Sequence, residues 1–280
     1  MYKLIKVFIS LSILTASFII PEVVNAQGNL LITPRRVVFE GSKRSIDLNL
    51  ANTGQDTAIY AISVIQERMR QDGSFETITE PDSGQRFADR FIRFFPRSVR
   101  LGPNEAQTVK VQLIRTNEMT PGEYRSHFYF RSIPNPKPLG ENEAPKDTTT
   151  ISVKLIPIFG ITIPVIIRVG ESTAKVSIND LKLFTVKDTI PALRMAFNRS
   201  GNMSVYGDLT IDHISPQGKV VRVGIANGIA VYTPNTKRIF QLNLNPAPGI
   251  NLKTGKLKIT FSTSSDVKPA VLSEAELVLR

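Results

Sequence analysis

Cysteine and tryptophan are both absent from this 280-residue chain. Without cysteine there is no thiol catalysis, no thiolate metal site, no lipid-modified leader cysteine and no disulfide, so the cores must suffice by themselves. Histidine is nearly absent too: His127 and His213 are the only two. They fall in different halves of the chain, so neither a shared catalytic base nor a His-rich metal site is expected. His127 lies in a strand-like stretch near Tyr124 and Phe128 and reads as structural. No glycine-rich phosphate loop ends in Lys-Ser or Lys-Thr, and no strand-to-helix context exists for one. Carboxylate pairs such as Asp180 with Asp188 and Glu141 with Glu143 fall in loop-like or surface sequence, and Asn198 and Asn202 head short glycosylation-like patterns that chance also supplies. From these residues no enzyme activity, no metal and no cofactor is expected.

Long apolar runs are scarce. One spans residues 7–20, behind the basic start Met1-Tyr2-Lys3-Leu4-Ile5-Lys6 and ahead of Pro21 and Val24-Asn25-Ala26. This is the layout of a secretory signal peptide cleaved after Ala26. The run is short of the ~20 apolar residues that a spanning helix needs. Every later run is broken by Pro, Gly or polar residues, so no integral membrane segment is expected after cleavage. The chain carries 35 Lys and Arg against 24 Asp and Glu, a formal charge of +11. Loss of Lys3, Lys6 and Glu22 with the leader leaves about +10. The basic residues are scattered and no nucleic-acid motif appears, so no nucleic-acid partner is expected.

Helical periodicity is nearly absent as well, and what remains is β. Alternating segments at 30–40, 45–50, 58–67, 75–79, 91–95, 106–115 and 121–131 are separated by turn signals such as Asn52-Thr53-Gly54 and Gln71-Asp72-Gly73-Ser74. Strands at this spacing, with turns every ~8–12 residues, predict an immunoglobulin-like sandwich. A proline-rich loop covers 134–147, and the better domain boundary is Val169-Gly170-Glu171-Ser172-Thr173. Further strands at 175–184, 191–198, 203–215, 219–226, 236–244, 255–261 and 270–279 predict a second sandwich of about a hundred residues. The expected architecture is all-β, two immunoglobulin-like β-sandwich domains in tandem: a leader at 1–26, a first domain at 27–169 and a second at 170–280.

One stretch stands apart. Residues 148–168 are long for a strand, and Ile151, Val153, Leu155, Phe159, Ile161, Ile163, Val165 and Ile167 form one apolar row at period two. The opposite face mixes Ser152, Lys154 and Thr162 with Ile156, Ile158 and Ile166. Pro157 and Pro164 cannot donate to a ladder, which predicts an edge strand or bulges. An apolar edge is an aggregation liability unless its own fold covers it or another chain pairs with it.

Four stretches carry a resemblance. They are Thr33-Pro34-Arg35-Arg36-Val37-Val38-Phe39 with the strand at 45–53, the proline-bounded segment 95–111, the strand at 124–134 ending in Ile133-Pro134, and the closing Ile163-Pro164-Val165-Ile166-Ile167-Arg168. In order and spacing they resemble the periplasmic chaperones of chaperone–usher pilus assembly, closer to the non-classical, archaic branch. The match covers residues 30–168; residues 175–280 match by architecture only. Gly102-Pro103-Asn104 departs from the family's Pro-Gly order. The resemblance implies a periplasmic, non-enzymatic chaperone. It would cap pilus or fimbrial subunits by lending them an edge strand before assembly at an outer-membrane usher. The implied strand-donor residues are Ile151, Val153, Leu155 and Ile161. Arg36 aligns with the arginine that anchors the subunit's terminal carboxylate. Aligning back from Arg168 puts Pro164 where the family has its second basic anchor, a lysine; aligning on Leu155 offers Lys154 instead. A long unpaired edge also allows self-association. The alternative is an exported structural or adhesion β-sandwich protein of the cell envelope that keeps the long strand in its own sheet. A carbohydrate-binding sandwich is a weaker third, because tryptophan is absent and aromatics are sparse in the expected loops.

Overall fold

The computed structural model describes residues 29–134, 158–264 and 270–279. The expected leader, and Ile151, Val153, Lys154 and Leu155 of the apolar row, lie outside the described residues.

The first half contains β1 (Leu30–Thr33), β2 (Val37–Phe39), β3 (Ser45–Asn52), β4 (Ala58–Ile65), β5 (Glu67–Met69), β6 (Phe75–Thr77), β7 (Ile92–Phe95), β8 (Ser98–Leu101), β9 (Ala106–Leu113), β10 (Gly122–Ile133) and β11 (Gly160–Val169). One sheet runs β1-β3-β9-β7 and the other β2-β11-β10-β4-β8. Alternation decides which face of each strand goes inward. Val109 and Val111 are fully buried in β9 while Lys110 and Gln112 are exposed. They meet Leu48, Leu50, Tyr60, Ile62, Phe128, Phe130 and Val165 in one core. Tyr124 makes the corner typical of immunoglobulin-like sandwiches: its hydroxyl accepts from the Thr120 N–H at 2.9 Å, four residues upstream.

The second half contains β12 (Lys175–Val186), β13 (Ile190–Ser200), β14 (Val205–Ile214), β15 (Val220–Val231), β16 (Lys237–Asn243), β17 (Lys256–Ser262) and β18 (Val271–Val278). Sheets β12-β13-β16 and β15-β14-β17-β18 enclose a core of Leu193, Phe197, Leu209, Ile211, Leu257, Ile259 and Phe261. The chain is therefore two immunoglobulin-like β-sandwiches in tandem. Among the described residues the only helical pieces are 3-10 turns at Asp89–Phe91 and Thr116–Glu118.

Three sequence expectations need correction. Segment 30–40 is two strands rather than one: β1 pairs antiparallel with β3, whereas β2 pairs parallel with β11 in the opposite sheet. Pro34, with no N–H to give, falls in the crossover. Residues 98–101 form a strand, β8, that the flanking Pro96 and Pro103 disguise; Val99 and Leu101 are buried from it. Segment 58–67 breaks at Gln66, and β5 leaves the sheet to pair with β6 as a separate hairpin.

Candidate functional site

β10 and β11 form a long antiparallel hairpin, in register from Gly122 opposite Val169 to Arg131 opposite Gly160. Pairing continues past the strand end, where Ser132 N donates to Phe159 O at 2.9 Å. Gly160 fixes this approach, because a Cβ there would stand 2.3 Å from the Tyr129 ring. Ile163, Val165 and Ile167 of the apolar row point into the first core and are buried. Ile161 is half-buried and packs against the same core. Beyond it the row emerges: Phe159 is 37% exposed, and its neighbour Ile158 on the other face is 54% exposed. The edge-strand expectation holds for only part of β11. Val165–Ile167 is flanked by β10 on one side and β2 on the other. Pro164 has no N–H, and the parallel ladder begins at the residue after it. From Gly160 to Pro164 the side of β11 away from β10 has no strand neighbour among the described residues.

The outward face of this sheet is covered by the second sandwich. The register sets Val38, Ile166 and Arg125 in one row, with Pro164 and His127 in the row two residues along. Ile166 is fully buried against Tyr232 and Ala230, with Val38 and Tyr206 beside them. This covering explains an isoleucine on a face that sequence alone reads as partly polar. Arg36, two residues before Val38, lies on the same face, and its guanidinium stacks on the Tyr206 ring at 3.7 Å. Its Nε and Nη2 are buried and have no hydrogen-bond partner among the described residues. These two N–H groups form the edge of the guanidinium that grips a carboxylate with two parallel bonds. Arg35 next door is exposed.

Behind Arg36 lies a polar cluster that the sequence did not announce. Glu123 is buried, with no side-chain exposure. It accepts from Arg168 Nε at 3.2 Å, Ser204 N at 3.0 Å, Ser204 Oγ at 2.6 Å and Thr233 Oγ1 at 3.2 Å. Arg168 also donates to Ser204 O at 3.0 Å. Two residues on, Arg125 is 1% exposed and stacks on Tyr232 at 4.6 Å; its Nη2 reaches Thr233 O at 3.4 Å. The β5–β6 hairpin lies against the second domain. Asn235 Nδ2 donates to Met69 O and Ile239 N to Gln71 O, both at 2.6 Å, while Phe75 packs on His127 and Tyr232 with ring centroids 5.4 and 6.1 Å away. Strand alternation put Glu123, Arg125 and His127 on one face in principle. That this face is covered depended on the second domain.

His127 is 2% exposed, and its Nδ1 lies 3.4 Å from Glu67 Oε2. Burial, reinforced by Arg125, pushes the imidazole down to about 3, while burial pushes the Glu67 carboxyl up. Below pH 6.5 the unfolded chain protonates this histidine and the folded chain does not until about 3, so folded-state stability falls as pH drops through that interval. The raised Glu67 slopes the other way just above its ordinary 4.5 and offsets part of the loss there. Below 4.5 the Glu67 offset is gone, and the histidine contributes about 1.4 kcal/mol per pH unit. The urea midpoint of wild type is therefore expected to fall more steeply between pH 4.5 and 3.5 than that of His127→Gln. Parallel curves would remove His127 as the source. His213, in the other sandwich, is also buried, with Nε2 2.8 Å from Thr254 O.

No protein-family model and no curated protein matches the chain. Solved structures do resemble it at low identity. The YadV chaperone is 14% identical, over 90% of this chain and 100% of its own, with a TM-score of 0.43. The Pseudomonas aeruginosa CupB2 chaperone is 13% identical over 88% and 98%, with a TM-score of 0.41. The CsuC–CsuE chaperone–tip adhesion subunit complex, from the archaic chaperone-usher Csu pili of Acinetobacter baumannii, is 12% identical over 88% and 97%, with a TM-score of 0.42. The chain is thus similar, across most of its length, to structures described as chaperones.

Proposed function

We propose that this protein is a non-enzymatic chaperone of the periplasm. It caps pilus or fimbrial subunits by lending them an edge strand before their assembly at an outer-membrane usher. The observation that carries the reading is the apolar row of β11, which is core at Ile163, Val165 and Ile167 and emerges at Phe159 where the strand has lost its outer neighbour. The row continues by sequence through Leu155, Val153 and Ile151. An extended chain pairing there gains main-chain hydrogen bonds along the ladder and seats alternate side chains in its own groove. Each large aliphatic side chain so buried stabilises the pair by ~1.5–3 kcal/mol. Arg36 supports the same reading, since its paired N–H edge suits a chain-terminal carboxylate. The apolar segment at 7–20 fits export with cleavage after Ala26, and among the described residues no helix is long and apolar enough to cross a membrane.

The test is purification of the tagged, exported protein from its native envelope and mass spectrometry of what comes with it. A one-to-one partner that is small, exported and pilin-like, and that is lost in Arg36→Ala, is expected. Recovery of the protein alone, or fixed to the outer envelope without such a partner, would shift the assignment to a structural or adhesion protein.

A further inference from the structure

We propose that the foot of the first sandwich is a binding site for an amphiphile with an anionic head, a medium-length alkyl carboxylate. β2, β9 and β11 all end there, at Phe39, Leu113 and Val169. Their last inward-facing side chains have no further row below them, so the gap between the two sheets is open at this end. The result is a cavity of about 510 Å³ at the junction of the two domains. Phe39, Leu113, Met119, Ile167 and Val169 of the first domain and Met203 of the second form its apolar wall. Leu113, Met119 and Val169 are only half-buried, so apolar surface is left for a ligand to cover. The two methionines add adaptability, because an unbranched thioether chain follows an irregular ligand. Size, apolar wall and position between domains are those of a small-molecule site. The cavity is separate from the Arg36 face. Ile166 points from β11 toward the second sandwich, whereas Ile167 points into the first core and walls this cavity.

The rim selects the sign of the head group. Lys43 and Arg44 stand exposed on the turn after β2 and line the mouth. Arg44 donates to the carbonyls of Gly41 and Lys43, at 2.8 and 3.3 Å, and neither cation has an ion pair among the described residues. Glu40 is the one carboxylate in the lining, and Arg168 holds it. The rim therefore keeps two uncommitted positive charges, with the Thr116 and Ser172 hydroxyls beside them. A carboxylate meets charge-assisted donors there while its alkyl chain runs inward along Leu113, Met119 and Val169. An alkylammonium meets like charge at the same rim, and a short carboxylate leaves the apolar wall bare. Gly170 and Ser172 of the linker line the cavity with Met203, so an occupant touches both sandwiches. The site is independent of the capping reading, because neither Arg36 nor the apolar row beyond Phe159 takes part.

The experiment uses the full exported protein with carbon-13 at the methionine methyl groups. Apart from Met1 the chain has four methionines: Met69, Met119, Met195 and Met203. The protein is titrated with hexanoate, octanoate and decanoate, each below its micelle concentration, and with decylammonium as the control of reversed charge. The Met119 and Met203 methyls are expected to shift together with one apparent Kd, while Met69 beside Ile166 and Met195 in the second core stay still. Each added methylene is expected to tighten Kd about fourfold. Lys43→Gln combined with Arg44→Gln is expected to weaken decanoate binding about tenfold. Both side chains are exposed, so the fold is kept. Met119 and Met203 methyls that ignore decanoate, or a Kd that is flat along the series, overturn the proposal. An equal response to decylammonium overturns it too, since the rim then does not select an anion. Shifts of similar size at all four methyls mean detergent action on the whole fold, and they also overturn it.

Discussion

Glu123→Ala is expected to destabilise the protein by about 1–3 kcal/mol, the range for leaving buried donors without their acceptor, since Arg168 keeps its second carboxylate, Glu40. The carboxylate binds donors from both sandwiches: Arg168 from the first, Ser204 and Thr233 from the second. Its loss leaves the Ser204 N–H and hydroxyl, the Thr233 hydroxyl and the Arg168 Nε without their acceptor. These groups are buried or half-buried at the seam between the domains, so the loss falls on the coupling of the two sandwiches more than on either core. Urea unfolding is expected to separate into two steps, and amide exchange at Ser204 to rise toward that of an exposed strand end. Ser204→Ala is expected to be milder, and its effect should largely vanish in the Glu123→Ala background, because the two act through one network. An unchanged midpoint and unchanged exchange at Ser204 would show that the seam does not depend on this carboxylate.

Leu155→Asp is expected to abolish recovery of the co-purifying chain while leaving the fold intact. Leu155 continues the row that leaves the core at Phe159. A carboxylate at that position would have to enter the partner's apolar groove, and burial of an unpaired charge costs more than the ~1.5–3 kcal/mol gained from the leucine it replaces. Val153→Asp should behave alike. Ser152→Asp, on the opposite face by period two, should retain the partner and serves as the control for charge alone. Ile161→Asp is a different experiment: that side chain is half-buried against the first core, so both stability and capture should fall. Continued recovery of the partner by Leu155→Asp would remove this strand as the donor.

Alternation is less regular in the second domain, as β12, β13 and β15 show, but some of its strands were plainly legible. β14 alternates buried and half-buried residues over its whole length, and its sequence shows the same period. The misread segments share a cause. At 30–40, 58–67 and 98–101 the pattern is compatible with a strand, but proline or a short interruption decides which sheet it joins, and pairing partners are far apart in sequence. β2, for instance, finds β11 more than a hundred residues later. Arg36 could be singled out from its motif alone. Arg125 and Glu123 could not, because a charged residue every second position is also what a solvated strand face looks like.

By itself the sequence determined the class of the molecule. Absence of cysteine removed thiols and disulfides, and period-two alternation with frequent turn signals left two β-sandwiches. It also set apart one apolar row at period two, from Ile151 to Ile167. Only the tertiary structure decided where that row stops being core, because burial at Ile163 and exposure at Phe159 depend on neighbours drawn from β2, β9 and β10. Only the tertiary structure, too, turned the polar face of β10 into a buried seam. A side chain's pattern records the direction in which it points, whereas what meets it there is set by the docking of a second domain whose residues lie more than a hundred positions away.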